Sequence, residues 1–329
     1  MSNESLSTSG ATSNVPIAPP PRTGAVFVHG AGIWEKDYWK KIIGKINGCM
    51  SGVSAMQLAG AEGAWYSDVI NSPQAQAMRA TLAPSQNAFM NALAWDSMQA
   101  NIAATSPSQL LQKIVGSLNP LSALTTGLAI AVRPTETILD ILARTLIGKP
   151  LNQLSGEIAD RILPGGMNVA ATIRDVCLYL QNDPSFVRPI RQRLIDKLRE
   201  AQQYDEIVLV SHSLGTVVAF DVLNEWTESK PTISHWFTLG CPLVKILLLR
   251  QGTPNRLKNA NVEHWYNVYD TSDIVASPLG PKFTKPGYNI HDIFIDIGND
   301  PIGSHDYFGN SPTLKLIADT VQATLVPVD

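Results

Sequence analysis

The feature that most restricts the fold of this chain is a stretch in which an apolar strand passes directly into a helix. Residues Ile207 to Val210 form a β-branched apolar run, as expected of a parallel strand that is buried on both faces. From Leu214 onward, apolar residues recur at helical spacing, so a helix is predicted to begin directly after Ser213. A change from strand to helix within so few residues requires a sharp turn with Ser213 at its apex.

The turn at Ser213 has the features of a nucleophile site. The residues two before and two after the apex must be small to avoid a clash, and they are Ser211 and Gly215. The turn raises the Ser213 side chain out of the sheet at a helix N-terminus, where free N–H groups and the helix dipole favour a developing negative charge. A surface turn could carry the pattern S-x-S-x-G by chance, but the strand before it and the helix after it favour a reactive serine.

Composition excludes several classes of protein. With 329 residues, 44% of them hydrophobic and 16% charged, the chain can bury a large core and is not a disordered protein. The net charge is −3 and the 25 Lys and Arg residues are scattered, so there is no electrostatic footprint for nucleic acid. Cys49, Cys177 and Cys241 are widely spaced, without a C-x-x-C pair or a histidine at ligand spacing, and predict neither disulfides nor a structural zinc.

Residues 1–22 are rich in Ser, Thr, Asn and Pro and lack the basic start and the apolar core of a secretory signal. They predict a flexible tail on a cytoplasmic protein. An effector that is exported without a cleavable signal would have the same kind of N-terminus. Nothing in the sequence indicates the oligomeric state.

Apolar runs alternate with helical segments along most of the chain, which predicts a mainly parallel sheet with helices on both faces. Further strands are predicted at 25–28, 233–239, 262–269 and 289–297, and helices at 34–47, 167–181, 184–203 and 312–325. Another strand has two candidate positions, 53–58 and 64–70. Active groups in such a sheet lie in loops at the carboxyl ends of the strands.

The segment between the first strand and Ser213 is longer than a parallel sheet requires. About 180 residues separate the loop after the first strand from Ser213, so we predict an inserted cap or lid at about residues 107–165. Residues 114–132 contain no charged residue and approach the ~20 residues that span a bilayer. Because Gly, Asn, Pro, Ser and Thr interrupt this run, a helix buried over the site is favoured over a membrane-binding lid, and both are favoured over a spanning helix.

The loop after the first strand complements the serine turn. The strand at 25–28 runs into the sequence His-Gly-Ala-Gly at positions 29–32, and the first amides after such a strand can point at the same place as the amide of Leu214. Two converging N–H groups form an oxyanion hole, in which each donor typically contributes about 3 kcal/mol of transition-state stabilisation. We predict the backbone N–H groups of Ala31 and Leu214 as these donors, with Gly32 as the alternative to Ala31.

The stretch around Ser213 resembles the nucleophile elbow, G-x-S-x-G, of the α/β-hydrolase superfamily, with Ser211 in place of the first glycine. The sequence Asp-Ile-Val at 273–275 resembles the family's D-x-V acid loop. Residues 303–308 resemble the Ser-His loop, closely followed by an aromatic residue, of many lipase-like hydrolases. Over about residues 184–325, and less closely over 24–48, the chain resembles bacterial serine hydrolases of the lipase and esterase type, whereas the tail and the predicted insertion show no such resemblance.

This resemblance implies a catalytic triad of Ser213, Asp273 and His305, because the family's acid and base follow the serine in that order. In such a triad the histidine removes the serine proton and the carboxylate orients the histidine. Asp270 lies three residues before Asp273 and remains open as the alternative acid or as a turn-capping residue. His291 also follows the acid, but it lies in a predicted strand, where a structural role is favoured.

The expected architecture is an α/β-hydrolase catalytic domain over residues 23–329, with a helical insertion at about 107–165 and residues 1–22 as a tail. The expected reaction is hydrolysis of a carboxylic ester through an acyl-enzyme, without cofactor or metal, and the apolar insertion favours an apolar acyl group. Thioesterases, peptidases and acyltransferases of this fold would share the triad, and a binding protein could keep the fold without turnover. The expected partner is a small-molecule or lipid ester and not a nucleic acid, and contact of the insertion with a membrane surface is left open.

Overall fold

The structure, a computed structural model, describes residues 22–50, 58, 60–79, 169–244, 246, 262–273, 275–283, 290–300 and 303–325. Residues 1–21 of the predicted tail and all of the predicted insertion at 107–165 lie outside the described residues. Within them, strands and helices alternate as an α/β fold. None of the helices that the structure describes is both long and apolar enough to cross a membrane.

Six strands of the described chain form one parallel sheet. They are β1 (Thr23–Val28), β2 (Gly60–Ala64), β3 (Glu206–His212), β4 (Thr232–Leu239), β5 (Val262–Tyr269) and β6 (Ile290–Phe294). Their order across the sheet is β2-β1-β3-β4-β5-β6, and every neighbouring pair is parallel. Because all the strands run in one direction, the loops that follow β1, β3, β4 and β5 meet at the same end of the sheet.

Helices cover both faces of this sheet, as predicted. They are α1 (Tyr38–Cys49), α2 (Ser67–Ile70), α3 (Pro73–Arg79), α4 (Val169–Leu180), α5 (Pro184–Glu200), α6 (Leu214–Glu225), α7 (Gly280–Phe283) and α8 (Ser311–Leu325), with 3-10 turns at Ala201–Gln203 and Gly303–His305. Apolar residues of α1 and α8 share a core with Phe27 and Phe237 on one face. Those of α4, α5 and α6 share a core with Leu209 and Trp236 on the other face.

The central strand β3 shows why two helical layers are needed. Residues Ile207 to His212 are all buried, because side chains of successive residues point to opposite faces. Ile207 and Leu209 enter one core, and Val208 and Val210 enter the other. The apolar run therefore marks a strand that is covered on both faces, which confirms the prediction.

Helix α5 begins and ends as its sequence dictates. The side chain of Asp183 caps the helix by accepting a hydrogen bond from the Ser185 N–H at 2.8 Å, and Pro184 occupies the first turn, where its missing N–H costs nothing. Its buried stripe includes Ile190, Leu194 and other apolar residues. The predicted helix at 184–203 is confirmed, with its last three residues as a 3-10 turn.

The strand β2 differs from both sequence candidates. Residues 64–70 contribute only their first residue to β2, and the rest of that candidate includes α2, so it is wrong as a strand. The other candidate, 53–58, lies almost wholly outside the described residues. β2 contains only Gly, Ala and Glu, and the rings of Tyr204 and Trp39 lie where side chains of Gly60 and Gly63 would be. β2 therefore lacks the β-branched signal by which strands are recognised.

Candidate active site

Ser213 lies between the last residue of β3 and the first residue of α6, with φ +51° and ψ −124°. A non-glycine residue with positive φ is strained and persists where its surroundings hold it, often at an active site. The Ser213 N–H donates to Leu239 O at 2.9 Å, and its carbonyl accepts from Thr216 N at 2.9 Å and from Thr216 Oγ1 at 2.7 Å. The structure confirms the predicted strand, sharp turn and helix, with Ser213 4% exposed at the apex.

Two glycines allow the loop after β1 to lie directly against the serine turn. A Cβ at Gly215 would lie 2.7 Å from Val28 O and would also overlap His29 O. A Cβ at Gly30 would lie 2.8 Å from Ser213 Cβ. Because real Cβ atoms do not approach other atoms so closely, both positions require glycine for this contact to form.

Ser211 occupies the other position that must be small, and it is fully buried. Its hydroxyl donates to the carbonyl of Phe237 at 3.2 Å and accepts from the indole N–H of Trp236 at 2.9 Å, both on β4. These bonds satisfy a polar group that the core would otherwise leave unpaired. Serine is therefore accommodated where the resembling motif has glycine, and it also links β3 to β4.

Asp273 and His305 are hydrogen-bonded in the buried region after β5. The distance from His305 Nδ1 to Asp273 Oδ2 is 2.8 Å, and both side chains are almost fully buried. Asp273 Oδ2 also accepts from the hydroxyl of Tyr307 at 2.9 Å, and Oδ1 accepts from Val275 N at 2.8 Å. Because the carboxylate of Asp273 can only accept a hydrogen bond, Nδ1 of a neutral His305 must carry the ring proton. The other ring nitrogen, Nε2, is then left as a base.

Asp270, the alternative acid, is held differently. Its Oδ1 accepts from Ser272 N at 2.7 Å, and its Oδ2 accepts from Ile297 N at 2.7 Å and Gly298 N at 3.3 Å. These bonds to backbone N–H groups join the end of β5 to the segment after β6. The geometry brings Asp273 to His305 and gives Asp270 the role of a turn cap.

Ser213 and His305 approach the same short segment after β4 from two sides. The Ser213 N–H donates to Leu239 O, and a Cβ at the next residue, Gly240, would lie 2.8 Å from His305 Cε1. His212, which precedes Ser213, also packs on His305, with 4.7 Å between the ring centroids. No hydrogen bond joins the Ser213 hydroxyl to His305, whose Nε2 is buried and has no partner among the described residues.

The two predicted oxyanion-hole donors lie on either side of the serine turn. Leu214 is the first residue of α6 and is fully buried, and Ala31 is 8% exposed in the loop after β1. Gly30, which precedes Ala31, is the residue that contacts Ser213. Among the described residues, neither the Ala31 N–H nor the Leu214 N–H has a hydrogen-bond acceptor.

The loop that carries Ala31 is held by Trp34. The indole N–H of Trp34 donates to Ala31 O at 3.1 Å, and its backbone N–H donates to Ser67 Oγ at 3.0 Å. Gly32 has a φ of +105°, which favours glycine at that position. These contacts extend the loop, so that α1 begins at Tyr38 and not at residue 34 as predicted.

His212, the residue directly before Ser213, also contributes to the candidate site. Its Nε2 lies 3.1 Å from the carbonyl of His305, so Nε2 carries the proton and donates it there. Burial, followed by the neighbouring His305, lowers the pKa of His212 to about 3. A neutral His212 thus holds the backbone of His305. Its place directly before the serine is the only signal that the sequence carries.

His29 is also buried and neutral, and it supports the loop after β1. Its Nδ1 lies 2.7 Å from Gly30 O and its Nε2 accepts from Tyr66 N at 3.2 Å, so the proton lies on Nδ1. Burial lowers the pKa of His29 to about 3. Both ring nitrogens of His29 are engaged by backbone groups, so neither is left to accept a proton from Ser213. The hydroxyl of Tyr66 donates to His29 O and so helps to hold this loop. No sequence motif indicates this contact.

The remaining histidines lie along β4, β5 and β6. His235 and His291 stack on Tyr266, with 5.8 Å and 5.2 Å between ring centroids, and His264 also contacts that ring. Among the described residues, no group of three or more His, Cys, Asp or Glu side chains could hold a metal ion. A cleft of about 660 Å³ lies beside β2, with charged side chains and two tryptophans around it, and none of the predicted triad residues lines it.

Comparisons with protein-family models, curated proteins and solved structures found no match to this chain. A functional assignment therefore depends on the geometry of its own residues. That geometry joins Asp273 to His305 and places both beside the strained turn of Ser213.

Proposed function

We propose that this protein is a serine hydrolase with the α/β-hydrolase fold, in which Ser213 is the nucleophile, His305 the general base and Asp273 the acid that orients it. The observation that carries the proposal is the buried hydrogen bond of 2.8 Å from His305 Nδ1 to Asp273 Oδ2, beside the strained turn at Ser213. It leaves Nε2, the other ring nitrogen, to accept a proton. The parallel sheet and the strand–serine–helix turn support the fold assignment.

The proposed reaction has two halves and uses only water and groups of this chain. Ser213 Oγ attacks the ester carbonyl carbon while His305 Nε2 takes its proton, and the N–H groups of Ala31 and Leu214 bind the tetrahedral oxyanion. The protonated His305 gives its proton to the leaving alcohol, and an acyl-enzyme remains on Ser213. Water then attacks the acyl-enzyme, with the same histidine as base, and the carboxylic acid leaves.

One adjustment must precede this reaction. Ser213 Oγ and His305 Nε2 are not hydrogen-bonded in the structure, although both lie against the segment of Leu239 and Gly240. Catalytic hydrogen bonds are often absent or long in the free enzyme and tighten in the substrate complex. We expect rotation of the serine side chain to form this bond when an ester is bound.

Apolar residues beside the loop after β1 support an ester with an apolar acyl group as the substrate. Ile33, two residues after Ala31, is 63% exposed. Trp34 and Phe308 form an edge-to-face pair next to it, with 6.0 Å between ring centroids.

Replacement of the nucleophile tests the proposal directly. Ser213→Ala is expected to abolish covalent labelling by a fluorophosphonate probe and to lower kcat for p-nitrophenyl esters by about 10⁶-fold. Ser234→Ala is the matched control, because Ser234 is as buried as Ser213, both being 4% exposed, and its hydroxyl donates only within the sheet, to Ile207 O. The control variant is expected to be labelled like the wild type.

The outcomes separate the alternatives. Full labelling of Ser213→Ala would remove the assignment of the nucleophile. Failure of folded wild-type protein to react with the probe or with any ester would favour a binding protein that has kept the fold. A panel of esters with increasing acyl length, thioesters and peptides would separate a carboxylic ester hydrolase from other enzymes with the same triad.

A further inference from the structure

Tyr307 lies two residues after His305 and has no role in the reaction as described above. It follows the 3-10 turn Gly303–His305 and is fully buried, although it carries a hydroxyl. A buried hydroxyl requires hydrogen-bond partners, and the partners of Tyr307 lie in the acid loop, residues 270–273.

The Tyr307 hydroxyl makes one hydrogen bond to each end of the acid loop. It accepts from the backbone N–H of Asp270 at 2.8 Å and donates to Asp273 Oδ2 at 2.9 Å. Asp273 Oδ2 is the same oxygen that accepts from His305 Nδ1. The hydroxyl therefore reaches the carboxylate oxygen that orients the base, from a residue on the same short segment as the base.

Close packing also fixes the ring of Tyr307. A Cβ at Gly240 would lie 2.7 Å from Tyr307 Cε2, so the ring packs directly on the segment after β4. Burial, followed by the charge of Asp273, raises the pKa of Tyr307 well above its ordinary value. The phenol consequently stays protonated and remains a donor to Asp273 across the working range of the protein.

We propose that Tyr307 is a positioning residue that fixes the carboxylate of Asp273 in the orientation that His305 requires. This inference rests on the proposed function, because it assigns a role within the same triad. A carboxylate on a loop can rotate about its side-chain bonds, and each fixed donor removes part of that freedom. Val275 N holds Oδ1, and Tyr307 holds Oδ2 beside the histidine. Removal of the hydroxyl leaves His305 oriented by a less restrained partner.

Tyr307→Phe removes this hydroxyl and keeps the ring. We expect kcat for a p-nitrophenyl ester to fall by about 10- to 100-fold, because a small loss of alignment between catalytic groups lowers the rate by about this factor. We expect KM to stay within about two-fold of the wild-type value. Tyr179→Phe is the matched control, because Tyr179 is also buried and its hydroxyl bonds to the side chains of Asp221 and Arg191, far from the triad. The control is expected to keep the wild-type kcat.

A second measurement does not require turnover. In the resting protein, the His305 Nδ1 proton that is bonded to Asp273 gives a far-downfield proton NMR resonance. We expect this resonance to broaden through faster exchange with water in Tyr307→Phe and to be unchanged in Tyr179→Phe. If Tyr307→Phe does not fold, 3-fluorotyrosine at position 307 keeps the ring and alters the donor strength of the hydroxyl, so the resonance is expected to move.

An unchanged kcat together with an unchanged resonance in folded Tyr307→Phe would overturn the positioning role, and so would an unmoved resonance with 3-fluorotyrosine. Failure of the proposed function has a different signature. If wild-type protein shows the resonance but neither labelling nor hydrolysis, the triad does not act as proposed. Broadening of the resonance in Tyr307→Phe would still support the contact in that case.

Discussion

Single residues in this protein are most constrained where two backbone segments touch. The carbonyls of Val28 and His29 lie against the first turn of α6, and Tyr66 bonds to His29 O from the opposite side. Neither carbonyl can move away without disturbing β1 or that bond. A side chain at position 215 would therefore clash with backbone atoms, whatever its effect on helix propensity, and this contact lies two residues after the strained backbone of Ser213.

Gly215→Ala is expected to lower the free energy of unfolding by about 3 kcal/mol, because the new methyl group would meet fixed backbone atoms. Gly44→Ala is the matched control: it also places alanine for glycine in a helix, but nothing lies within 4 Å of its Cβ position. That control is expected to stabilise the protein by about 0.5–1 kcal/mol. Urea unfolding measures both changes. Equal stability of the two variants would contradict the close contact at Gly215.

At the scale of elements, the loop between β5 and β6 divides two tasks between two aspartates. Asp270 accepts three backbone N–H groups and joins the end of β5 to the segment after β6. Asp273 faces His305 and Tyr307. Both residues are buried and both follow the same strand, so burial and position along the chain do not distinguish them. The hydrogen-bond partners of Asp270 and Asp273 distinguish the two residues.

The amide variants are expected to separate these tasks. Asp273→Asn should lower kcat by about 10⁴-fold, because an amide can favour the wrong tautomer of His305, and should leave the fold intact. Asp270→Asn should lower the free energy of unfolding by about 1–3 kcal/mol, because the new NH₂ group would face a backbone N–H and could not accept its hydrogen bond. Its effect on kcat should be smaller than that of Asp273→Asn. Steady-state kinetics and urea unfolding of both variants test this. The reverse pattern would identify Asp270 as the acid.

At the scale of the molecule, burial lowers the pKa of three histidines in the part of the chain that the structure describes. His29 and His212 support the candidate site, and His235 is buried on the sheet, where neither of its ring nitrogens has a hydrogen-bond partner among the described residues. Burial lowers the pKa of His29 and of His212 to about 3 and that of His235 to about 4. In the unfolded chain all three would titrate near their ordinary value of 6.5.

The free energy of unfolding is therefore expected to fall as the pH drops below 6.5. Between pH 6.5 and the folded-state pKa values the unfolded state binds more protons, so each histidine removes about 2 kcal/mol between pH 7 and pH 5. Urea unfolding at a series of pH values measures the slope. His235→Phe, which places an apolar ring beside Phe237 and Tyr266, is expected to reduce that slope and to stabilise the protein more at pH 5 than at pH 7. A slope equal to that of the wild type would contradict the buried neutral state of His235.

Five of the six strands in the described sheet were predictable from the sequence, and the edge strand β2 was not. The predicted strand at 262–269 corresponds to β5 residue for residue, and the predictions of β3 and β4 agree with the structure to within a few residues at each end. Strands in the interior of a parallel sheet are rich in β-branched and aromatic residues, and these residues identify them in the sequence. Within the described residues, β2 borders a strand on one side only, and the rings of Tyr204 and Trp39 fill the space beside Gly60 and Gly63, so its small residues resemble a loop.

The sequence alone determined the strand, the strained turn and the helix around Ser213, because these depend on the sizes and polarity of residues within a few positions of one another. It also limited the candidate acids to Asp270 and Asp273. Only the tertiary structure decided which carboxylate meets His305, and only it showed the contact of Tyr307 with both ends of that loop. The partners lie more than 30 residues apart, and the separation of their loops is set by the order of strands in the sheet, which no local pattern encodes.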